Sequence, residues 1–515
     1  MASTSEGSIR RRPAAVVAVL SAAIAALLCL ASGANAAELI YWNNYDSDSL
    51  AFSNADGSGG GSLNLSGVAL DQPEGMAYDS VTNRIFVASN LGGPENTGQI
   101  IFVNLDGSGA GVLGTPGTTA VNPEGLAIDP ATRIAYWINT KVPETIGWAK
   151  LDGSGGGLLN TAGAKLEGAY RLAIDPVAGR VYWGNTPLGA VGISYANFNN
   201  TGGGNLPLTG ATPPQDVSGL AVVPALGRIY WDDEASVSFA SLAGGGGGDL
   251  NLTGAVFDEP YGLSVDPVTN KILWANYGHK TGEGFGALSF GSLGGGGGPL
   301  NITTAPIDGP QDPLLLKSPS AIAAPLVTRS VASRSALSCS TGGWAADLPG
   351  SFVYQTPRTF AYQWTRNGTP IPATATTLTA ATPGKYACMV TASNQAGSAA
   401  QASAPLTIKS AKAKLTVKKK ASALPGKLAT FPIKVVNQGD LKSKNARVCV
   451  KVPKKAKAAL KTPKCKSLGK LNGLAKRSAK VKVKVLPTAS AGTYKVTFNV
   501  KGIAAKPVKA KVIVK

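Results

Sequence analysis

Over the first 316 residues, apolar positions come in short runs closed by Asp-Pro, Asp-Gly or a glycine-rich corner. In AVNPEGLAIDPATRIAYW, from Ala120 to Trp137, the run Gly125-Leu126-Ala127-Ile128 reaches Asp129-Pro130, and a second run carries the aromatic pair Tyr136-Trp137. Runs this short, bounded by turn residues, read as strands rather than helices. Asp at the first turn position and Pro at the second favour a tight reversal between them. Altered copies of the unit return as QPEGMAYDSVTNRIFV, EPYGLSVDPVTNKILW and VSGLAVVPALGRIYW. From residue 411 the pattern becomes a strict alternation, as in Val481-Lys482-Val483-Lys484-Val485, which predicts half-buried strands with lysines facing water.

Aligned on the aromatic strand, six copies start at Tyr41-Trp42, Phe86-Val87, Tyr136-Trp137, Tyr182-Trp183, Tyr230-Trp231 and Leu273-Trp274, with spacings of 45, 50, 46, 48 and 43 residues. That period belongs to propeller blades rather than to helical or leucine-rich repeats. Corners such as LDGSGAG from Leu105, LDGSGGG from Leu151 and LAGGGGG from Leu242 suit a hairpin between the third and fourth strands. A single blade buries neither face alone, so neighbours supply the second face and the ring must close. The first copy begins at its second strand, Leu39 to Trp42, and a sixth inner-strand candidate, Pro310 to Leu316, follows the last complete unit. The expected fold class is therefore all-β: a six-bladed β-propeller over 37–316, then two β-sandwich domains over 317–410 and 411–515.

The order IYW, LDGSG, PEGLAIDP, six times over, resembles the low-density-lipoprotein-receptor class B (YWTD) propeller family from residue 39 to about 316. The family's fourth-position Asp occurs only as Asp233 and is replaced by Asn44, Ser89, Asn139, Asn185 and Asn276, each still able to accept a hydrogen bond. Val223 replaces the inner-strand Asp in one copy. The resemblance implies that one mouth of the channel docks extracellular protein or peptide ligands. Cys339, Trp364 and Cys388, with Tyr386 two residues before the second cysteine, resemble an immunoglobulin-like sandwich, which implies a Cys339–Cys388 bridge. FPIKVVNQGD followed by VCVKVP resembles the CARDB-like bacterial surface sandwiches. There Cys449 and Cys465 would close a loop worth ~3 kcal/mol by chain entropy.

At 515 residues the chain exceeds one core. Residues 1–36 read as an export signal: Arg10, Arg11 and Arg12, an apolar run from Ala14 to Leu30, then Ala34-Asn35-Ala36 for cleavage. Leu28 before Cys29 is not the small residue of a lipoprotein signal, and the adjacent arginines keep a twin-arginine route open. Four cysteines then remain, an even number suited to disulfides outside the cytoplasm. No later apolar run is long enough to span a bilayer, so no transmembrane segment is expected in the mature chain. Charge is strongly polarised. Glu38 to Asp312 carries 10 basic and 26 acidic residues, 10 − 26 = −16, whereas Ala411 to Lys515 carries 29 basic residues and one acid, Asp440, 29 − 1 = +28.

No catalytic residue, metal site or cofactor is expected. One histidine, His279, makes no multi-histidine centre, and no P-loop or nucleophile elbow occurs. Asp232-Asp233-Glu234 reads as a strand end before a Ca²⁺ site. Asn64-Leu65-Ser66, Asn251-Leu252-Thr253 and Asn301-Ile302-Thr303 are echoes of one outer-strand position. The residues that start the inner strands, Glu74, Glu124, Tyr170, Ser218, Tyr261 and Gln311, are the candidate ligand ring at a channel mouth, against the plainer reading of solvated loop ends. Of the 29 C-terminal basic residues 27 are lysines, point charges rather than guanidinium forks. That favours diffuse attraction to an anionic wall polymer, acidic polysaccharide or lipid surface over specific nucleic acid, unless the lysines serve only to keep strand edges apart. The expected function is an exported envelope or extracellular binding or adhesion protein taking a protein, peptide or glycan ligand. The alternatives are a propeller lyase or lactone hydrolase with a metal in the channel, and a purely structural envelope component.

Overall fold

The computed structural model describes residues 38–91, 97–186, 192–214, 216–233, 236–278 and 286–515. The expected export signal, Glu234 and His279 lie outside them. The fold is all-β: a six-bladed propeller followed by two β-sandwich domains. Contacts divide the chain into two compact units. One holds the described residues up to Ser320 together with Trp344–Thr359 and Ala392–Ala399; the other holds Ala321–Gly343, Phe360–Thr391 and Ala400–Lys515.

Blade 1 closes the ring. Its inner strand is Pro310–Lys317, paired antiparallel to Glu38–Asn44 with Leu39 opposite Leu316 and Asn44 opposite Pro310. Strands Ser49–Asn54 and Gly60–Ser62 complete it. Blades 2 to 6 begin with inner strands Pro73–Asp79, Pro123–Asp129, Leu172–Asp175, Leu220–Val223 and Pro260–Asp266, each the first of four antiparallel strands. At the closure point Leu316 stands where most copies have Asp, and Lys317, the next residue, pairs with Asp266 of blade 6.

The aromatic pair works because neighbouring strand residues face opposite sides of the sheet. Trp137 packs on Ala77 and Phe86 of the preceding blade, Trp183 on Ala127 and Tyr136, Trp231 on Ala173 and Tyr182, and Trp274 on Ala221 and Tyr230. All four indoles are fully buried, and truncating such a side chain costs about 3–5 kcal/mol. The fourth-position residue explains its own variability. Val121 N–H donates to Asn139 Oδ1 at 3.0 Å, Glu167 N–H to Asn185 Oδ1 at 3.1 Å, Asp258 N–H to Asn276 Oδ1 at 3.1 Å and Asp71 N–H to Ser89 Oγ at 3.2 Å. What the position requires is an acceptor, and Asn and Ser supply one as Asp would.

In the second unit Cys339 and Cys388 are bridged, Trp364 is fully buried, and the Tyr386 hydroxyl donates to Thr382 O at 2.8 Å. The last sandwich pairs two five-stranded sheets whose alternating Val, Ala, Leu and Phe side chains form one core, with Cys449 bridged to Cys465. Asp440, 5 % exposed, takes Arg329 Nη1 at 2.8 Å, Arg334 Nε at 2.9 Å and the Lys409 N–H at 2.8 Å. No helix among the described residues is long and apolar enough to cross a membrane.

Candidate functional site: the propeller axis and its mouth

Inner strands crowd the axis so tightly that most carry no side chain there. A Cβ on Gly75 would lie 2.2 Å from Leu126 N, and one on Gly262, at φ +78°, would lie 2.4 Å from Asp312 Oδ1. Around the ring this position reads Gly75, Gly125, Arg171, Gly219, Gly262 and Asp312. The two exceptions come from opposite blades, and their side chains meet across the channel with Arg171 Nε 3.2 Å from Asp312 Oδ1.

Arg171, buried to 3 % exposure, gathers four of the ring's blades. Its Nη2 donates to Gln311 Oε1 at 2.8 Å and Glu74 Oε2 at 3.1 Å, and its Nη1 to Glu124 Oε2 at 3.2 Å. The Tyr261 ring of blade 6 lies 5.2 Å from the guanidinium carbon, within cation–π range. A planar fork with several donors is what lets one residue hold so many acceptors.

The cluster is short of positive charge. Glu74, Glu124, Asp312 and Asp232 surround one guanidinium. Asp232 is fully buried behind Gly219, and neither of its carboxylate oxygens has a hydrogen-bond partner among the described residues. Burial dominates all four groups. It raises the Glu74 carboxyl to about 7 against the pull of Arg171, raises Glu124 well above the usual range with help from the Glu74 charge, and raises Asp312 and Asp232 also.

The opposite end of the channel is stoppered by the short 3₁₀ turn Pro349–Ser351 and the strand Val353–Tyr354, which adds to blade 1 parallel to its inner strand. Ser351 Oγ donates to Val222 O at 2.9 Å, Ser264 Oγ to Phe352 O at 3.2 Å, and the Tyr78 N–H to the Tyr354 hydroxyl at 3.3 Å. A Cβ on Gly350 would lie 2.0 Å from Ile174 O, so only glycine fits against that strand end. Between Phe352 and the Arg171–Asp312 pair a cavity of about 10 Å³ remains, room for one water.

Of the expected ring, Glu74, Glu124, Gln311 and Tyr261 converge on Arg171. Ser218 is buried and its carbonyl takes the Gly262 N–H at 3.1 Å, whereas Tyr170 stands out at 40 % exposure. The two acids are turned inward and paired, so the mouth presents aromatic surface instead. Tyr277 stands 5.9 Å from Tyr45 and 5.9 Å from Tyr261, centroid to centroid, and its hydroxyl donates to Asp46 Oδ1 at 2.8 Å. Sequence reasoning missed Arg171, Asp312, Tyr45 and Tyr277. The signal lay one column along the repeat: Arg171 and Asp312 stand where the other copies have glycine, and both tyrosines directly follow the acceptor residue, in Asn44-Tyr45 and Asn276-Tyr277.

No protein-family model matches the chain, and no curated protein sequence matches it. Solved structures similar to it include TolB from Acinetobacter baumannii, 15 % identical with a TM-score of 0.40 over 58 % of this chain and 71 % of that one. Another is a putative TolB from Agrobacterium tumefaciens, 11 % identical, TM-score 0.36, over 53 % and 92 %. A third is a putative 6-phosphogluconolactonase from Bacteroides uniformis, 11 % identical, TM-score 0.38, over 55 % and 100 %.

Proposed function

We propose that this protein is an exported binding or adhesion protein of the cell envelope. Its YWTD-like propeller docks a protein, peptide or glycan ligand at the tyrosine-rimmed mouth, an immunoglobulin-like domain acts as a spacer, and the Lys-rich CARDB-like domain associates with anionic envelope polymer or lipid. The observation that carries the reading is the state of the channel. With Arg171 and its acceptors toward one end, Phe352 toward the other and about 10 Å³ between, a ligand meets the chain at the rim. There Tyr45, Tyr170, Tyr261 and Tyr277 combine apolar faces with polar tips, the composition favoured at interface centres. Two disulfides support an extracytoplasmic setting, where such bonds persist.

The enzymatic alternative places a metal on the axis, where Arg171 already supplies the positive charge; elemental analysis of the purified protein discriminates the two. The binding reading is tested on glycan and peptide arrays with the full-length protein and the double variant Tyr170→Ala/Tyr277→Ala. Loss of at least roughly tenfold in binding for the retained ligands is expected from removing two aromatic anchors. Unchanged binding by a variant with unchanged Tm overturns the assignment to the mouth.

A further inference from the structure

We propose that the outer face of the sheet formed by Lys412–Val417, Leu428–Asn437 and Lys476–Val485 binds a linear polymer of short-polyol phosphodiesters laid along its central strand, an inference that deepens the polyanion half of the reading above and rests on it. Leu428–Asn437 runs between the other two strands, with Pro432 opposite Lys480, Thr430 opposite Lys482 and Lys414 opposite Val436. Burial alternates along the first two strands and from Ala479 onward in the third, so Ala413, Leu415, Phe431, Ile433, Val481 and Val483 point into the core. Lys476, Lys480, Lys482 and Lys484 therefore line one side of the outer face, and Lys412, Lys414 and Lys418 the other. The two lysine rows are two strand spacings apart, about 9.6 Å; lysines at i and i+2, Lys480-Lys482-Lys484 and Lys412-Lys414, are about 6.7 Å apart, and Ser478 and Thr416 interrupt the rows beyond them.

The floor between them is made of short side chains, Thr430, Pro432 and Val436, with Lys434 at its centre. It deepens because Lys412–Val417 pairs with the central strand only from Ile433 onward. The Lys418 N–H reaches Pro432 O at 3.2 Å, and Pro432 offers no N–H on that side to prolong the ladder. An open trough of about 590 Å³ results, lined by Thr416, Lys418, Pro432, Lys434, Ser478 and Lys480.

Charge complementarity selects the occupant. The one acid of residues 411–515, Asp440, is already held by Arg329, Arg334 and the Lys409 amide, and no lysine of this stretch makes an ion pair among the described residues. A set of like charges without counter-ions destabilises the fold that carries it. No aromatic ring lies on the face: Phe431 and Phe498 are fully buried and Tyr494 belongs to the other sheet, so bases have no stacking platform. The repeat length is decided by bond counting. A peptide spans about 3.3–3.6 Å with three backbone bonds, so an extended chain with six bonds between charges repeats at about 7 Å, in step with lysines at i and i+2. A phosphodiester joined through a three-carbon polyol has that spacing.

The test uses full-length protein and a synthetic 1,3-linked glycerol-phosphate oligomer, with polygalacturonate, oligo-dT and phosphatidylglycerol vesicles as competitors matched in charge. Lys480→Glu/Lys482→Glu/Lys484→Glu reverses one lysine row. Lys495→Glu/Lys509→Glu/Lys511→Glu makes the same change of charge on the other sheet. The expected result is roughly tenfold or greater loss for the first variant, a smaller loss for the second, and a salt slope flatter by about 0.7 for each phosphate contact removed. Equal losses in both variants, or tighter binding of any competitor, overturn the proposal while leaving the polyanion reading standing. Failure of the wild type to bind any of the four probes at low salt overturns both.

Discussion

In the propeller, charge that reaches the interior meets partners from other blades: Arg171 draws on Glu74, Glu124, Gln311 and Asp312. In the last sandwich, Lys495 stands directly opposite Lys511, and Lys461 opposite Lys484, with no acid to separate either pair. At its axis the propeller thus sets buried charge against partners of its own, with four carboxyl groups, all raised by burial, sharing one guanidinium. The sandwich leaves its charge uncompensated at the surface, where only something outside that domain can neutralise it. Side chains on a closed ring are forced toward a common axis, whereas those on a sheet face are held apart at strand spacing.

The strongest way to break this contrast is at the axis. Arg171→Leu leaves buried carboxylates without their cation, and a loss of about 3–5 kcal/mol is expected in the denaturant transition of the propeller unit alone. A loss shared by both transitions would show that the ring is not an independent structure. Next comes Cys449→Ser/Cys465→Ser, which frees a loop of 16-residue separation. It should lower the sandwich transition by ~3 kcal/mol on the chain-entropy model and leave the propeller untouched.

A smaller effect separates the regions by pH. Because burial raises Glu74 to about 7, its contribution is fully present below its ordinary value near 4.5 and is lost as pH rises through 7; Glu124 and Asp312 act in the same direction. Asp440 is lowered by its amide and arginine partners despite burial, so its contribution is present above the ordinary aspartate value and lost as pH falls below it. Calorimetry at pH 5 and pH 8 should find the propeller less stable at pH 8 by about 3 °C or more, with the second unit's transition unmoved. Smallest of all, Lys511→Glu places opposite charges across from each other with Lys495 and should stabilise the sandwich by about 0.2–1 kcal/mol. A destabilising result would mean the lysine pair is not repulsive.

The six-fold period and the completion of blade 1 by Pro310–Lys317 were legible in the sequence because every blade repeats the same small strand, turn and aromatic pair. The acceptor column Asn44, Ser89, Asn139, Asn185 and Asn276 was legible for the same reason. Arg171 was legible only as a break in a column that is otherwise glycine or a short acid, and such a break does not say that its side chain spans the axis. Phe352, Val353 and Tyr354 look like any short strand, and nothing periodic ties them to Val222, Ser264 and Tyr78. Those contacts place Trp344–Thr359 with the propeller unit, although the sequence reading assigned it to 317–410. The lysine rows needed the register of three strands, which alternation alone leaves free to slide.

The most direct measurement is calorimetry of full-length protein titrated with the glycerol-phosphate oligomer. Internal compensation in the propeller and its absence in the sandwich predict that the transition lowered by Cys449→Ser/Cys465→Ser climbs with oligomer concentration, as mass action requires, while the one lowered by Arg171→Leu stays fixed. A rise in the Arg171-dependent transition instead, or in neither, would contradict the account.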